Sequence, residues 1–235
     1  MSMKYYELKI SISLKAPIHF QKSPEAIGKL IATALINGGY KEHNQKRPKP
    51  YVFSNLGKAD KNGYFKDGEI VFRSFDENLA KMVSKELLFY EDNIFKVNSI
   101  AFKEVPYRFI EAVVSVNPVF VKIKNTNKFW TLIEGDVNTL LKALQSNLLR
   151  KYEQIFNEKL NPTNNFIEYL QIKNNTPQTF IYKGGKLFGN KLYFMPRSDE
   201  VSQKLAFSAL ACGLGHMNSS VGGGFCKKVK PTHFD

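Results

Sequence analysis

YYELKISISLKAPIHFQKSPEAIGKLIATALINGG, residues 5–39, changes its hydrophobic period from two to 3.6 partway along. Tyr5 to Ser13 alternates as a half-buried strand does. Ser23-Pro24 then opens a helix whose apolar positions are Ile27, Leu30, Ile31, Ala34 and Leu35, stopped at Asn37-Gly38-Gly39. Downstream, short strands are expected at Tyr51 to Ser54 and Glu69 to Phe75, a second helix at about Asp76 to Leu88, and a strand at Asn93 to Phe102. The order is β-α-β-β-α-β, the ferredoxin-like unit.

The remaining half returns to the same theme. Ala112 to Val116 and Val119 to Ile123 read as strands broken at Asn117-Pro118, and an amphipathic helix follows at about Val137 to Glu158, ended by Asn161-Pro162. Strands are expected at Asn165 to Lys173, Gln178 to Tyr182 and Lys191 to Met195, with Gly184-Gly185 and Gly189-Asn190 as punctuation. Ser198-Asp199 caps a helix running through Cys212, and a last strand covers Phe225 to Val229. The expected class is α+β with two tandem ferredoxin-like domains, 1–110 and 111–235. No repeat is visible in the residues themselves, so the duplication is inferred from element order.

Composition narrows the partners. The 235 residues carry 34 Lys+Arg against 21 Asp+Glu, a formal charge of +13, which implies a surface attractive to nucleic acid or anionic lipid. No apolar run reaches the roughly 18 residues of a bilayer span, and Met1 to Tyr6 lacks the apolar core of a secretory signal, so the chain reads as cytosolic with no membrane role. Two cysteines, Cys212 and Cys226, make neither a disulfide framework nor a four-ligand zinc site, and no metal or other cofactor is expected. Aromatic residues on predicted strands (Tyr5, Tyr6, Tyr51, Phe53, Phe180, Tyr182) suit base stacking on an RNA platform, but core packing is their ordinary use, and no RNP1 motif is present.

Between the last helix and the last strand lies GLGHMNSSVGGGF, residues 213–225, in which five of thirteen residues are glycine. A glycine-rich backbone presenting N–H groups, with Ser219 and Ser220 inside it and Lys227, Lys228 and Lys230 behind it, suits phosphate oxygens. A plain surface turn has the same composition. This loop with its flanking helix and strand resembles the signature loop of the CRISPR-associated repeat-processing endoribonucleases, members of the repeat-associated mysterious protein (RAMP) superfamily. Two further segments resemble the same family: HNQKRPKPYVFS at 43–54, where a histidine precedes a lysine by six residues and then an aromatic strand ending in serine, and VSVNPV at 114–119.

The resemblance implies a metal-independent nuclease that binds CRISPR repeat RNA and cuts precursor transcripts once per repeat. The ribose 2′-OH attacks the adjacent phosphodiester, leaving 2′,3′-cyclic phosphate and 5′-OH ends. Such chemistry needs a proton acceptor, a proton donor and a cation at the transition state. The resemblance makes His43 and Lys49 the catalytic pair, with Lys46 and Arg47 as phosphate contacts, although His43 also reads as a solvated residue in a basic loop. The family's tyrosine on the first helix is missing from positions Gly28 to Ala32, and Tyr40 is the substitute phenol. His216 is the alternative catalytic histidine and otherwise an RNA contact. Lys22, Lys29, Gly213, Gly215, Asn218, Ser219, Ser220, Gly222, Gly223, Gly224, Lys227 and Lys228 are the remaining candidate RNA contacts, with the glycine loop placed opposite the chemistry. His19 and His233 carry no assignment. The expected partners are repeat RNA and other CRISPR effector subunits, with the chain a monomer or homodimer. The rival reading is a non-catalytic RNA-binding subunit of an effector complex.

Overall fold

In a computed structural model the chain is described over residues 3–41, 47–123, 126, 128–133 and 135–231. The first half runs β1 (Lys4–His19), α1 (Ser23–Asn37), β2 (Tyr51–Phe53), β3 (Tyr64–Ser74), α2 (Glu77–Leu87) and β4 (Phe95–Pro106). Its antiparallel sheet has the order β2-β3-β1-β4. The second half runs β5 (Ala112–Ser115), α3 (Val137–Phe156), β6 (Ile167–Ile172), β7 (Gln178–Tyr182), β8 (Gly185–Gly189), β9 (Leu192–Pro196), α4 (Glu200–Cys212), the single turn α5 (Asn218–Val221) and β10 (Cys226–Val229). Its sheet order, β10-β5-β9-β6, repeats the first once the β7–β8 hairpin is set aside. These are two tandem ferredoxin-like units. No helix among the described residues is long and apolar enough to cross a membrane.

Alternation along β1 sorts the core. Tyr6, Leu8, Ile10 and Ile12 point to the α1/α2 side and pack on Ile27, Ile31 and Leu35 of α1 and Leu79 and Val83 of α2. Each such fully buried aliphatic side chain contributes about 1.5–3 kcal/mol. Asp76 caps α2 by accepting from the N–H groups of Asn78 and Leu79, and Asp199 caps α4 by accepting from that of Ser202.

The opposite face of the first sheet is turned to the second half. Glu7, Arg73 and Val52 form one row across β1, β3 and β2. Arg73 is buried there with its Nε 2.7 Å from Glu7 Oε2, while its Nη1 donates to the carbonyls of Leu210 (3.2 Å) and Cys226 (2.6 Å) and its plane lies over the Phe225 ring. A guanidinium thus satisfied on both sides joins the first sheet to α4 and β10 through charge-assisted bonds.

Three sequence expectations change. Val119 to Ile123 is no strand: it meets its neighbours only at the isolated bridges Val119–Asn190, Phe120–His216 and Lys122–Phe129. The stretch expected to be punctuation, Gly185–Gly189, is instead β8. The helix after Val137 stops at Phe156, before Asn161-Pro162, because Asn157 takes the left-handed conformation at φ 52°.

Candidate active site

The glycine loop packs against α1 and β2, the two elements that the α1–β2 connection joins. Of the connection, Glu42 to Lys46 lie outside the described residues, and with them His43 and Lys46. Arg47 is exposed, Lys49 is 9% exposed, and Tyr40 is half-buried against the first core. Tyr51, fully inside, hydrogen-bonds the Ser219 side chain, and burial, reinforced by the neighbouring Tyr40, holds its phenol well above the ordinary tyrosine range. Tyr51 therefore stays protonated and serves as a positioning contact between the halves. The Tyr40 and Ser219 candidates both gather at Tyr51, while Lys22, just before α1, and Lys29 on it stand exposed, Lys29 in an ion pair with Glu25 (3.5 Å). Lys227 and Lys228 stand exposed on β10, where the Lys228 ammonium bonds the Phe109 carbonyl. His19 lies edge-on to Tyr64 beside Phe20, and His233 is outside the described residues.

The glycine loop is not the open cradle that its composition suggests. Its glycines are buried, and several of its N–H groups are already engaged: Leu214 on Gly224, His216 on Phe120, Gly223 on Met217, Gly224 on Pro118. It also packs directly against the first half. A Cβ on Gly28 of α1 would fall 2.1 Å from the Ser220 carbonyl, and one on Gly222 would fall 2.2 Å from the Phe53 carbonyl. Two backbones in such contact admit no side chain at either position, and Gly222 also needs its left-handed φ of 63°. The glycines act as a seam. Ser219 and Ser220, half-buried on α5, are the part of the loop that reaches the surface beside the α1–β2 corner.

A polar chain fastens the seam. Ser23 Oγ donates to Asn55 Oδ1 (2.7 Å), the Asn55 N–H donates to Asn117 Oδ1 (3.3 Å), and Asn117 Nδ2 donates to the carbonyls of Gly222 (2.7 Å) and Phe53 (3.3 Å). The ends of segments 43–54, 114–119 and 213–225 are thereby brought within a few hydrogen bonds of each other.

Lys151, which the sequence reading passed over, holds the loop from beneath. It is 2% exposed and its ammonium donates to Gly213 O (2.7 Å), Asn218 Oδ1 (2.7 Å) and Gly215 O (3.1 Å). Asn218 in turn donates to Leu214 O and Gly223 O. Burial pulls the Lys151 ammonium down to about 8, so it keeps its proton at neutral pH. The available signal was its position: with Asn147 it falls in the apolar stripe Leu140, Leu144, Leu148, Tyr152 of α3, where a lysine is buried only if its charge is satisfied.

His216 looks the other way. Its Nδ1 lies 3.3 Å from the Phe120 carbonyl and 3.4 Å from the Lys122 nitrogen, both in the second half. Burial, with help from the charge of Lys151, lowers it to about 4. The folded state thus keeps this imidazole neutral where the unfolded chain, at about 6.5, would take a proton. Its stabilising contribution is complete above pH 6.5 and is lost as the pH falls toward 4, on the order of 2 kcal/mol after allowing for its partial exposure. Urea unfolding at pH 7 and 4.5 checks this. His216→Gln is expected to lose less stability than the parent chain over that interval, and equal losses would refute the assignment.

No family model matches the chain, and neither does any curated relative. Solved structures do. One described as a RAMP protein binding different RNA substrates superposes at a TM-score of 0.75 with 14% identity, covering 96% of this chain and all of that one. A Cas6-related protein from Pyrococcus furiosus gives 0.74 with 15% identity, covering 99% of this chain and all of that one. A CRISPR-associated protein Cas6 gives 0.72 with 19% identity, over 96% of this chain and the whole of the other. The chain thus shares its fold, two tandem β-α-β-β-α-β units, with these solved RAMP and Cas6 proteins.

Proposed function

We propose that the chain is a metal-independent endoribonuclease that binds CRISPR repeat RNA and cleaves the precursor transcript within each repeat, with residues 1–110 carrying the chemistry and 111–235 completing the RNA site. The observation that carries this reading is the junction of the glycine loop with the α1–β2 corner through Tyr51 and Ser219, in a fold shared with an RNA-binding RAMP protein. In this reading His43 takes the proton from the ribose 2′-OH or gives one to the departing 5′ oxygen, and solvent water carries the other of these two transfers. The O2′–P bond forms, the P–O5′ bond breaks, and Lys49 stabilises the charge that builds on the phosphorane-like transition state. Arg47, exposed two residues before Lys49, together with Lys22 at the start of α1, Lys29 on it, the surface serines of α5, and Lys227 and Lys228, supplies phosphate contacts that position the strand.

The test is cleavage of an end-labelled transcript carrying a CRISPR repeat, with excess EDTA present throughout. One cut per repeat is expected, with a 3′ end that resists periodate until the cyclic phosphate is opened and removed. Tight binding without product under any condition would replace this reading with that of a non-catalytic RNA-binding subunit. Equal affinity for repeat and scrambled RNA would remove the link to CRISPR.

A further inference from the structure

A cleft of about 560 Å3 opens on the second half between α3 and the residues Val121, Lys122, Ile123 and Trp130, with His216 at one side. The size is that of a small-molecule site. Three of its lining residues, Lys122, Lys142 and Arg150, carry positive charge, and among the described residues they make no ion pair and no acidic side chain lines the cleft. Its walls include Val121 and Trp130, the chain's one tryptophan. Asn147 lies in the same lining at 5% exposure, and its Oδ1 is buried with no hydrogen-bond partner. A buried acceptor left without a donor costs about 1–3 kcal/mol, so in a cleft wall this oxygen favours a ligand that brings an N–H group.

These features specify a ligand with three parts. An anionic group answers the unpaired cations, a flat apolar body suits the walls, and an N–H edge satisfies Asn147. A nucleotide has all three. An asparagine amide pairs naturally with a base edge, and unstacked bases held by aromatic and basic side chains are the usual mode of single-strand RNA recognition. The helix also fixes the distance from the candidate active site. Gln154 Nε2 donates to the carbonyl of Pro48, beside Arg47, and Asn147 lies seven residues earlier on α3, about 10 Å along its axis. A strand crossing the α1–β2 corner can therefore reach the cleft with a nearby nucleotide.

We infer that this cleft receives one unstacked nucleotide of the bound RNA strand, with Asn147 reading its base edge and Arg150, Lys142 and Lys122 holding its phosphate. The inference rests on the chain being an RNA-binding protein. Trp130 reports occupancy directly, because it is the sole source of tryptophan fluorescence. The full chain is titrated with an unstructured ten-nucleotide RNA of mixed sequence and separately with AMP, CMP, GMP and UMP, while anisotropy of a dye at the RNA end follows overall binding.

Saturable quenching of Trp130 by the RNA is expected. Asn147→Leu and the exposed-site change Arg150→Gln are each expected to weaken it about tenfold, whereas Lys186→Ala, an exposed cation on the β7–β8 hairpin, leaves it unchanged. RNA binding by anisotropy with no quenching, or with both variants unaffected, overturns the cleft assignment and leaves the RNA-binding reading standing. No anisotropy change with either the ten-mer or a repeat transcript overturns both. Quenching by a mononucleotide but never by RNA shows a site for free nucleotide, which also overturns the inference as stated.

Discussion

His43→Ala is expected to slow cleavage of repeat RNA by about 10²–10⁴-fold while changing repeat affinity less than threefold. The size follows from the role: one positioned acid–base group supplies about that factor, and the remaining charge and positioning machinery stays in place. The separation of rate from affinity follows from the surroundings. Arg47, Lys22, Lys29, Lys227 and Lys228 are all exposed cations, and none depends on an imidazole for its charge. The measurement is single-turnover cleavage under saturating enzyme, with Kd determined on a repeat carrying a 2′-deoxy substitution at the cut site so that binding is read without reaction. His216→Ala is the informative partner. Its imidazole is bound to the second half and held neutral down to about pH 4, so a proton-shuttling role near pH 7 does not suit it. Full cleavage by His43→Ala and none by His216→Ala would reverse the two roles and move the chemistry into the glycine loop.

How far the sequence carries the argument depends on which signal each element had. β1, α1, α2, α3 and α4 were legible because their apolar residues repeat at a fixed period and their caps are explicit, as with Asp76 and Asp199. Val119 to Val121 carried the composition of a strand without its pairing. Buried irregular backbone needs the same apolar side chains, and only the bridges to Asn190 and His216 distinguish it. β8 was hidden by the glycines at both its ends, which read as turns.

The glycine loop shows a deeper ambiguity. Lack of a Cβ permits an exposed anion nest and a close backbone contact equally well, and nothing inside residues 213–225 chooses between them. The choice is made by Gly28 and Phe53, far away in the sequence, whose backbones the loop approaches too closely for any other residue. Asn147 and Lys151 had a signal of another kind, polar residues out of place in an apolar helix stripe. Each has a distinct reason: one charge fully satisfied by loop oxygens, one amide oxygen left unsatisfied.

Lys151→Met should lower the stability of the chain by about 3–5 kcal/mol at pH 7, a large part of the margin of an ordinary domain. Methionine keeps the length and most of the apolar stem, so little cavity forms. What disappears is the donor. Gly213 O, Gly215 O and Asn218 Oδ1 then remain buried with the seam closed over them, and the C-terminal end of α4 loses the cation that its exposed carbonyls favour. The same loop carries Ser219 to Tyr51 and Gly222 to Phe53, so loosening it is expected to weaken repeat binding and cleavage together. This pattern differs from the rate-only loss of His43→Ala.

The pH dependence of the difference tests the cause. The folded ammonium titrates at about 8 and the unfolded one at about 10.5, so between those values the unfolded chain holds more protons and the parent protein gains stability from this group as pH rises. Below pH 8 that contribution is flat. Urea unfolding of both proteins at pH 7, 8.5 and 10 should therefore show the gap between them widening with pH. A gap that narrows instead would mean that the loop oxygens stabilise the charged ammonium by more than its burial costs, and that the seam is held by charge alone.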